Sequence, residues 1–211
     1  ESKGDLSAGV GTWDTYRVTA DLSTPLNAEG TVRGRIVSAY QDNRSFLDYY
    51  QNKKKVFYGV VDADLTSRTT LSVGYNYQDN EPQGSSGAGF PLWYADGGRT
   101  DWRRSLNTRA RWTSWGSTTQ GAFASLEHRF ENDWRVQAVG SYSKNEMDGK
   151  LLYLYGWPDR ETGLGMGASP AWYLGDRKQN ALDLKANGPF TLFGRRHEAV
   201  VACSHRRLRE V

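Results

Sequence analysis

No stretch of this chain is apolar for the roughly 20 residues that a membrane-crossing helix needs, so a helical membrane span is excluded. Cysteine is almost missing. Cys203 stands alone, so no internal disulfide forms, and neither Cys-x-x-Cys nor paired-His zinc spacing occurs. Aliphatic residues are few as well: the chain is 37% hydrophobic with a mean hydropathy of −0.72, poor for a soluble core in 211 residues. A net charge of +3 is too small to argue for nucleic acid, and the two signs are interspersed. The short Lys53-Lys54-Lys55 run reads as a solvated strand end. Proline is scarce, at six residues, whereas glycine reaches 23 and the apolar content leans on 8 Trp, 12 Tyr and 7 Phe. Two classes fit that balance: a secreted β protein rich in glycine and aromatics, or a membrane β-barrel, in which only every second strand residue need be apolar.

Alternation with period 2 runs along most of the chain, which argues strands. Between Thr70 and Gln78, Leu71, Val73, Tyr75 and Tyr77 share one face, and Thr70, Ser72, Gly74, Asn76 and Gln78 the other. Phe57, Gly59, Val61, Ala63 and Leu65 repeat the apolar face, with Asp62 and Asp64 opposite. Tyr16, Val18, Ala20 and Leu22 do so again, as do Trp134, Val136, Ala138, Gly140 and Tyr142. Alternation alone does not separate a two-sheet sandwich from a barrel in lipid.

The connections say more. Strands are expected near 4–11, 14–25, 31–41, 54–65, 69–79, 117–130, 133–145, 177–189 and 196–205. After a tight corner at Gly11 to Asp14, the links alternate in length. Those at 27–30, 66–68, 131–132 and 190–195 are short; those at 42–53, 80–116 and 146–176 are long. Tight turns at one end and long loops at the other are the topology of an outer-membrane barrel. Tyr40, Phe130, Trp134 and Phe190 fall near strand ends, where an interfacial girdle belongs.

Several segments resemble TonB-dependent siderophore receptors of the ferric-pyoverdine, pseudobactin and coprogen type. Ala8 to Arg17 (AGVGTWDTYR) is similar to the opening hairpin of that barrel, and Pro25 to Arg35 (PLNAEGTVRGR) to its first periplasmic turn and rising strand. Ser45-Phe46, Tyr58-Gly59, Asp62 to Leu65, Tyr77-Gln78-Asp79, Trp112 to Trp115, Phe123 to Phe130 and Gly188-Pro189-Phe190 follow in order. The resemblance implies an all-β, antiparallel transmembrane β-barrel of about 22 strands. Residues 1–211 would supply about nine of them as a partial barrel domain, the N-terminal part of the barrel. It further implies a bacterial outer-membrane location, outer-membrane lipid and a ferric siderophore as partners, and the TonB complex acting through a plug outside this chain. No nucleic-acid partner is expected. The chain opens at Glu1 as if cut from a longer protein, and Arg206 to Val211 is not a natural barrel ending.

For chemistry the residues offer little. His128, His197 and His205 fall in no Ser-His-Asp order, and the Asp62/Asp64 pair reads as lumen charges satisfied by facing arginines. No enzyme is expected. Binding is better supported. The 80–116 loop holds Phe90, Trp93, Tyr94, Trp102, Trp112 and Trp115, and the 147–176 loop holds Tyr153, Tyr155, Trp157, Trp172 and Tyr173. Such density suits a flat or cyclic ligand on which rings stack. Iron arrives already wrapped by its chelator, so no cofactor and no protein metal ligands are expected. By resemblance, Trp115 is the first candidate contact and Trp157 the second, with Phe90, Trp93, Tyr94 and Trp112 completing the set. The family pattern has a further tryptophan shortly before Phe90; here 84–89 offers only Gly, Ser and Ala, which leaves the identity of the siderophore open. A passive porin-like channel and a soluble secreted glycan-binding β protein remain as alternatives.

Overall fold

A computed structural model describes residues 1–85 and 89–210. The alternating segments form nine strands: β1 (Lys3–Gly11), β2 (Thr15–Pro25), β3 (Val32–Arg44), β4 (Gln51–Thr66), β5 (Thr69–Gln83), β6 (Ser114–Arg129), β7 (Arg135–Gly156), β8 (Met166–Leu192) and β9 (Arg195–Glu210). They make one antiparallel sheet in sequential order, each strand pairing with its chain neighbours.

The register carries the period-2 pattern across the whole sheet. One transverse row reads Val32, Ala63, Leu71, Leu126, Ala138, Leu184, Cys203. The row beside it, one residue along and on the other face, reads Arg33, Asp62, Ser72, Ser125, Val139, Asp183, Ser204. A slip of one residue anywhere would put the apolar row among the charges, so the register is strongly specified.

The polar face neutralises itself. Arg33 donates to both oxygens of Asp64, at 2.5 and 2.9 Å, and Thr70 donates to the same carboxylate. Arg35 pairs likewise with Asp21. The expectation of facing arginines thus holds for Asp64, whereas Asp62 is satisfied by the Ser72 hydroxyl.

The apolar face has nothing on it. Among the described residues no hydrophobic side chain is fully buried, and Val73, Leu126, Leu182 and Leu184 are 44–50% exposed. Sheets in water bury one face on a second layer; in a barrel wall, lipid takes that place. Aromatic residues bound the apolar band at both ends. Phe130, Trp134 and Phe190 lie at the short-turn end, and Tyr16, Tyr40, Phe57 and Tyr142 at the other. From Trp134 to Tyr142 the chain rises about 27 Å along the strand. At a tilt of about 40° that is a band of roughly 20 Å, close to the apolar height of such barrels. Trp134 is fixed at its end: Nε1 donates to the Pro189 carbonyl at 3.0 Å, and the ring lies flat across Gly188.

Short turns at 26–31, 67–68, 130–134 and 193–194 gather at one end of the sheet. The connections at 12–14, 45–50, 84–113 and 157–165 gather at the other. The long loop expected at 146–176 is largely strand. β7 runs for 22 residues and β8 for 27, paired without interruption from Arg135↔Asn187 to Gly156↔Met166. About 10 tilted residues cross a bilayer, so this hairpin stands well beyond the membrane. Glycines at 149, 156, 165 and 167 and Pro170 read as loop punctuation in sequence, yet the backbone ladder runs through all but the tip.

Candidate ligand-binding site

Because β6, β7 and β8 overshoot the membrane, their polar-face positions continue upward as the wall of a vestibule. There the polar residues give way to aromatic and apolar ones. Trp115, Gly149 and Tyr173 form one transverse row; Gly116 and Asp148 begin the next, on the opposite face. Met147, Leu151 and Tyr153 flank that row on the same face, with Ala171 and Ser169 opposite the last two.

Together these residues line a cavity of about 370 Å³, within the usual range of small-molecule sites. Trp115 is oriented by its Nε1–H, which donates to Met147 Sδ at 3.1 Å and leaves the ring face open. Gly149 forms the floor between Trp115 and Tyr173: a side chain there would meet only ordinary contacts, so the space belongs to the cavity. Arg109, 5% exposed, borders the pocket from the 84–113 loop, and burial pulls its pKa below the ordinary arginine value. The combination is aromatic walls, a soft sulfur and a guanidinium at the edge. It offers stacking and charge recognition and no metal coordination; among the described residues no cluster of His, Cys, Asp or Glu could hold a metal ion.

The six candidate residues do not form one cluster. Trp115 lines the cavity. Trp112, three residues earlier, lies against Lys150, Pro170 and Trp172 on the opposite, outward face, so the sheet separates the two tryptophans that the sequence places together. Phe90 and Tyr94 pack on Trp102 at 6.2 and 6.1 Å, and Trp102 Nε1 donates to the Pro91 carbonyl. They build an aromatic knot inside the long loop. Trp93 forms an isolated bridge with Arg99 and is 51% exposed. Trp157 opens the 157–165 tip and is 61% exposed. Of the segment before Phe90 where the further tryptophan was expected, residues 86–88 lie outside the described residues.

The outer loops are tied to one another. Arg160 at the hairpin tip pairs with Asp96 of the long loop and stacks its guanidinium 4.6 Å from the Tyr94 ring; the Ala95 N–H donates to the Pro158 carbonyl. At the other side of the long loop, Arg103 pairs with Asp48, and the Asn107 amide donates to the carbonyls of Asp48 and Gly84. Arg160 holds the Asp96 carboxyl below its ordinary pKa, and the Thr162 N–H does the same for Asp159. Sequence reading missed Met147, Leu151 and Arg109, and placed Tyr153 and Tyr173 on a loop. The signal for the first two was present: Met147, Leu151, Tyr153 and Tyr155 keep the two-residue spacing of the strand below them.

No family model matches the chain. It is 43% identical to the ferripyoverdine receptor of Pseudomonas aeruginosa over 97% of its own length and 25% of the relative's. It is 34% identical to the ferric-pyoverdine 358 receptor of Pseudomonas putida, over 97% and 25% of the two chains. The chain therefore spans about a quarter of the length of the curated relatives it matches. The crystal structure of the Pseudomonas aeruginosa outer-membrane ferripyoverdine receptor bound to ferripyoverdine superposes with a TM-score of 0.94 at 41% identity, covering 99% of this chain and 28% of that one. The relatives are receptors rather than enzymes. Sequence and fold agree: this chain is a segment of β-barrel wall and belongs to the TonB-dependent siderophore receptors.

Proposed function

We propose that the receptor carrying this segment captures a ferric siderophore of the pyoverdine class at the outer surface of a bacterial outer membrane and imports it with energy delivered through TonB. Residues 1–211 serve as a partial barrel domain. They contribute wall, outer loops and one side of the binding site, while the plug lies outside this chain. The observation that carries this reading is the chamber of Trp115, Tyr153, Tyr173 and Met147 facing inward above the lumen. A passive pore needs no such chamber, and a soluble glycan binder would not leave its apolar face bare.

The role is transport and not catalysis. The carboxylates that invite an acid–base reading, Asp62 and Asp64, are held by Ser72, Thr70 and Arg33. Trp115 supplies the fixed stacking face, and Trp157 is proposed as a second contact reached from the hairpin tip. Phe90, Trp93 and Tyr94 shape the loop over the site.

The test is quenching of tryptophan fluorescence by ferric pyoverdines in the intact receptor. Trp115→Ala should weaken binding by about 30-fold, the cost of a central aromatic anchor. Trp157→Ala should weaken it less, and Trp112→Ala, on the far face, should leave it unchanged. Unaltered affinity in both Trp115→Ala and Trp157→Ala overturns the assignment.

A further inference from the structure

A cavity of about 610 Å³ opens at the outer end of the sheet, between the 12–14 and 45–50 connections and the root of the 84–113 loop. Arg44, Gln51 and Gln83 line it and form one cross-strand row, on the face opposite to that of Trp115. It therefore lies on the outer side of the barrel wall. Gln51 stands about 20 Å along its strand above Phe57 of the upper girdle, so the cavity faces the medium and not lipid. Trp13 meets the Phe46 ring edge-on at 6.4 Å, and Tyr49 carries the Arg111 guanidinium over its ring at 4.6 Å.

The backbone is strained where it presents these rings. Among the described residues, five that are not glycine have a positive φ, and three of them line this cavity: Trp13 (61°), Asp14 (50°) and Tyr49 (65°). Asp enters the left-handed region readily, whereas Trp and Tyr do so at a cost. Neither is free to relax. The Trp13 carbonyl accepts from the Arg44 N–H at 2.9 Å, and the Tyr49 carbonyl lies so close to Gly84 that a Cβ there would be 2.6 Å away. Both rings are nevertheless more than half exposed, so burial does little to offset the cost. Strain held in this way gathers at ligand clamps.

The charges leave one cation over. In the lining, Asp14 lies 3.5 Å from Arg44, and Asp48 is held by Arg103 at 2.5 Å. Beside it, Asp42 accepts from the Gln51 amide, and Glu81 pairs with Lys55. Arg111 is exposed, rests on Tyr49 and has no carboxylate within ion-pair distance among the described residues. A guanidinium stacked on a ring still offers its N–H edge to a carboxylate. Ser45, Gln51, Gln83 and Ser105 add hydroxyl and amide groups, which suit a hydroxylated ring better than a flat apolar one. The apolar side of such a ring stacks on an indole.

We infer that this cavity binds an acidic sugar from the surrounding medium, a saccharide that stacks on Trp13 and sets its carboxylate against Arg111. Tyr49 positions Arg111. The site is independent of the siderophore reading, because it lies on the other side of the barrel wall.

The test is calorimetric titration of the intact receptor in detergent, with folding checked by heat-modifiable gel migration. Three probes are compared: a short uronic-acid oligosaccharide, the same oligosaccharide with its carboxyl groups reduced to alcohols, and a glutamate oligopeptide of equal charge. The uronic-acid probe should bind, the reduced sugar about tenfold more weakly, and the peptide not at all. Trp13→Asn puts a residue that accepts the left-handed backbone in place of the ring. A merely structural Trp13 predicts unchanged binding in that variant, whereas a stacking Trp13 predicts a loss of about tenfold with the barrel folded. Arg111→Gln should bind the uronic-acid probe no better than the reduced sugar. Ferric pyoverdine binding should be unchanged in both variants, which separates failure here from failure of the transport reading. No binding of the uronic-acid probe, equal binding of the reduced sugar or the peptide, full affinity in Trp13→Asn, or a carboxylate preference that survives Arg111→Gln would each overturn the site.

Discussion

Arg160, at the tip of the β7–β8 hairpin, holds Asp96 of the β5–β6 loop through two hydrogen bonds of 2.9 and 3.3 Å. The pair joins two loops 64 residues apart in sequence above the aromatic chamber. Asp159 braces the tip beneath it: one carboxylate oxygen accepts from the N–H groups of Glu161 and Thr162 and from the Thr162 hydroxyl.

This contact sets a pH dependence. Arg160 lowers the pKa of Asp96 from its ordinary value of 3.8, so folded loops favour the ionised carboxylate. The stabilisation is complete above the ordinary carboxylate range and is lost as the pH falls through the lowered value. Hydrogen-exchange protection of residues 94–98 and 158–164, taken as the rate relative to that of the unstructured chain at the same pH, should therefore be flat from pH 7 to about 5 and fall only in stronger acid. Asp96→Asn should show the lower protection already at pH 7. Salt should mimic it partially, since both partners are exposed.

Gly149 is the floor of the chamber. Gly149→Val adds a β-branched residue that the strand tolerates but that fills the space between Trp115 and Tyr173. Pyoverdine affinity should fall by about tenfold or more with no loss of folding yield. A variant that binds normally would show that ligand does not enter between these rings.

Gly188 answers to a different constraint. A Cβ there would lie 2.6 Å from the Trp134 ring and 2.8 Å from its Cα, so the clash reaches the backbone. Gly188→Ala should destabilise the barrel by about 1–3 kcal/mol, read as a shift in urea midpoint during refolding into micelles. Trp134→Ala should relieve the part of the clash made with the ring and leave the part made with the Cα, so the pair should be partly non-additive.

The chain by itself should not be a soluble protein. Its nine strands leave the outer edges of β1 and β9 unpaired and no hydrophobic side chain fully buried among the described residues. Expressed alone in water, it should sediment as aggregate. A monodisperse monomer with a cooperative melt would contradict the barrel-wall reading.

What residues 1–211 determine by themselves is local and periodic. Alternation at Leu71, Val73, Tyr75 and Tyr77 defines a strand and its two faces, and short turns such as Ser67-Arg68 define which strands are neighbours. Side chains alternate along any strand, so these features need no knowledge of the rest of the fold. Tertiary structure decided the reach and the sidedness of the site. The β7–β8 ladder continues through Gly149, Gly156 and Pro170 because pairing outweighs local punctuation, and it turns an expected loop into a wall carrying Tyr153 and Tyr173. It also sends Trp115 into the vestibule and Trp112 to the outer surface. Trp112 ends the irregular 84–113 segment while Trp115 is fixed by pairing with Gly149, and no periodicity runs through a loop to tell which way its last ring will face.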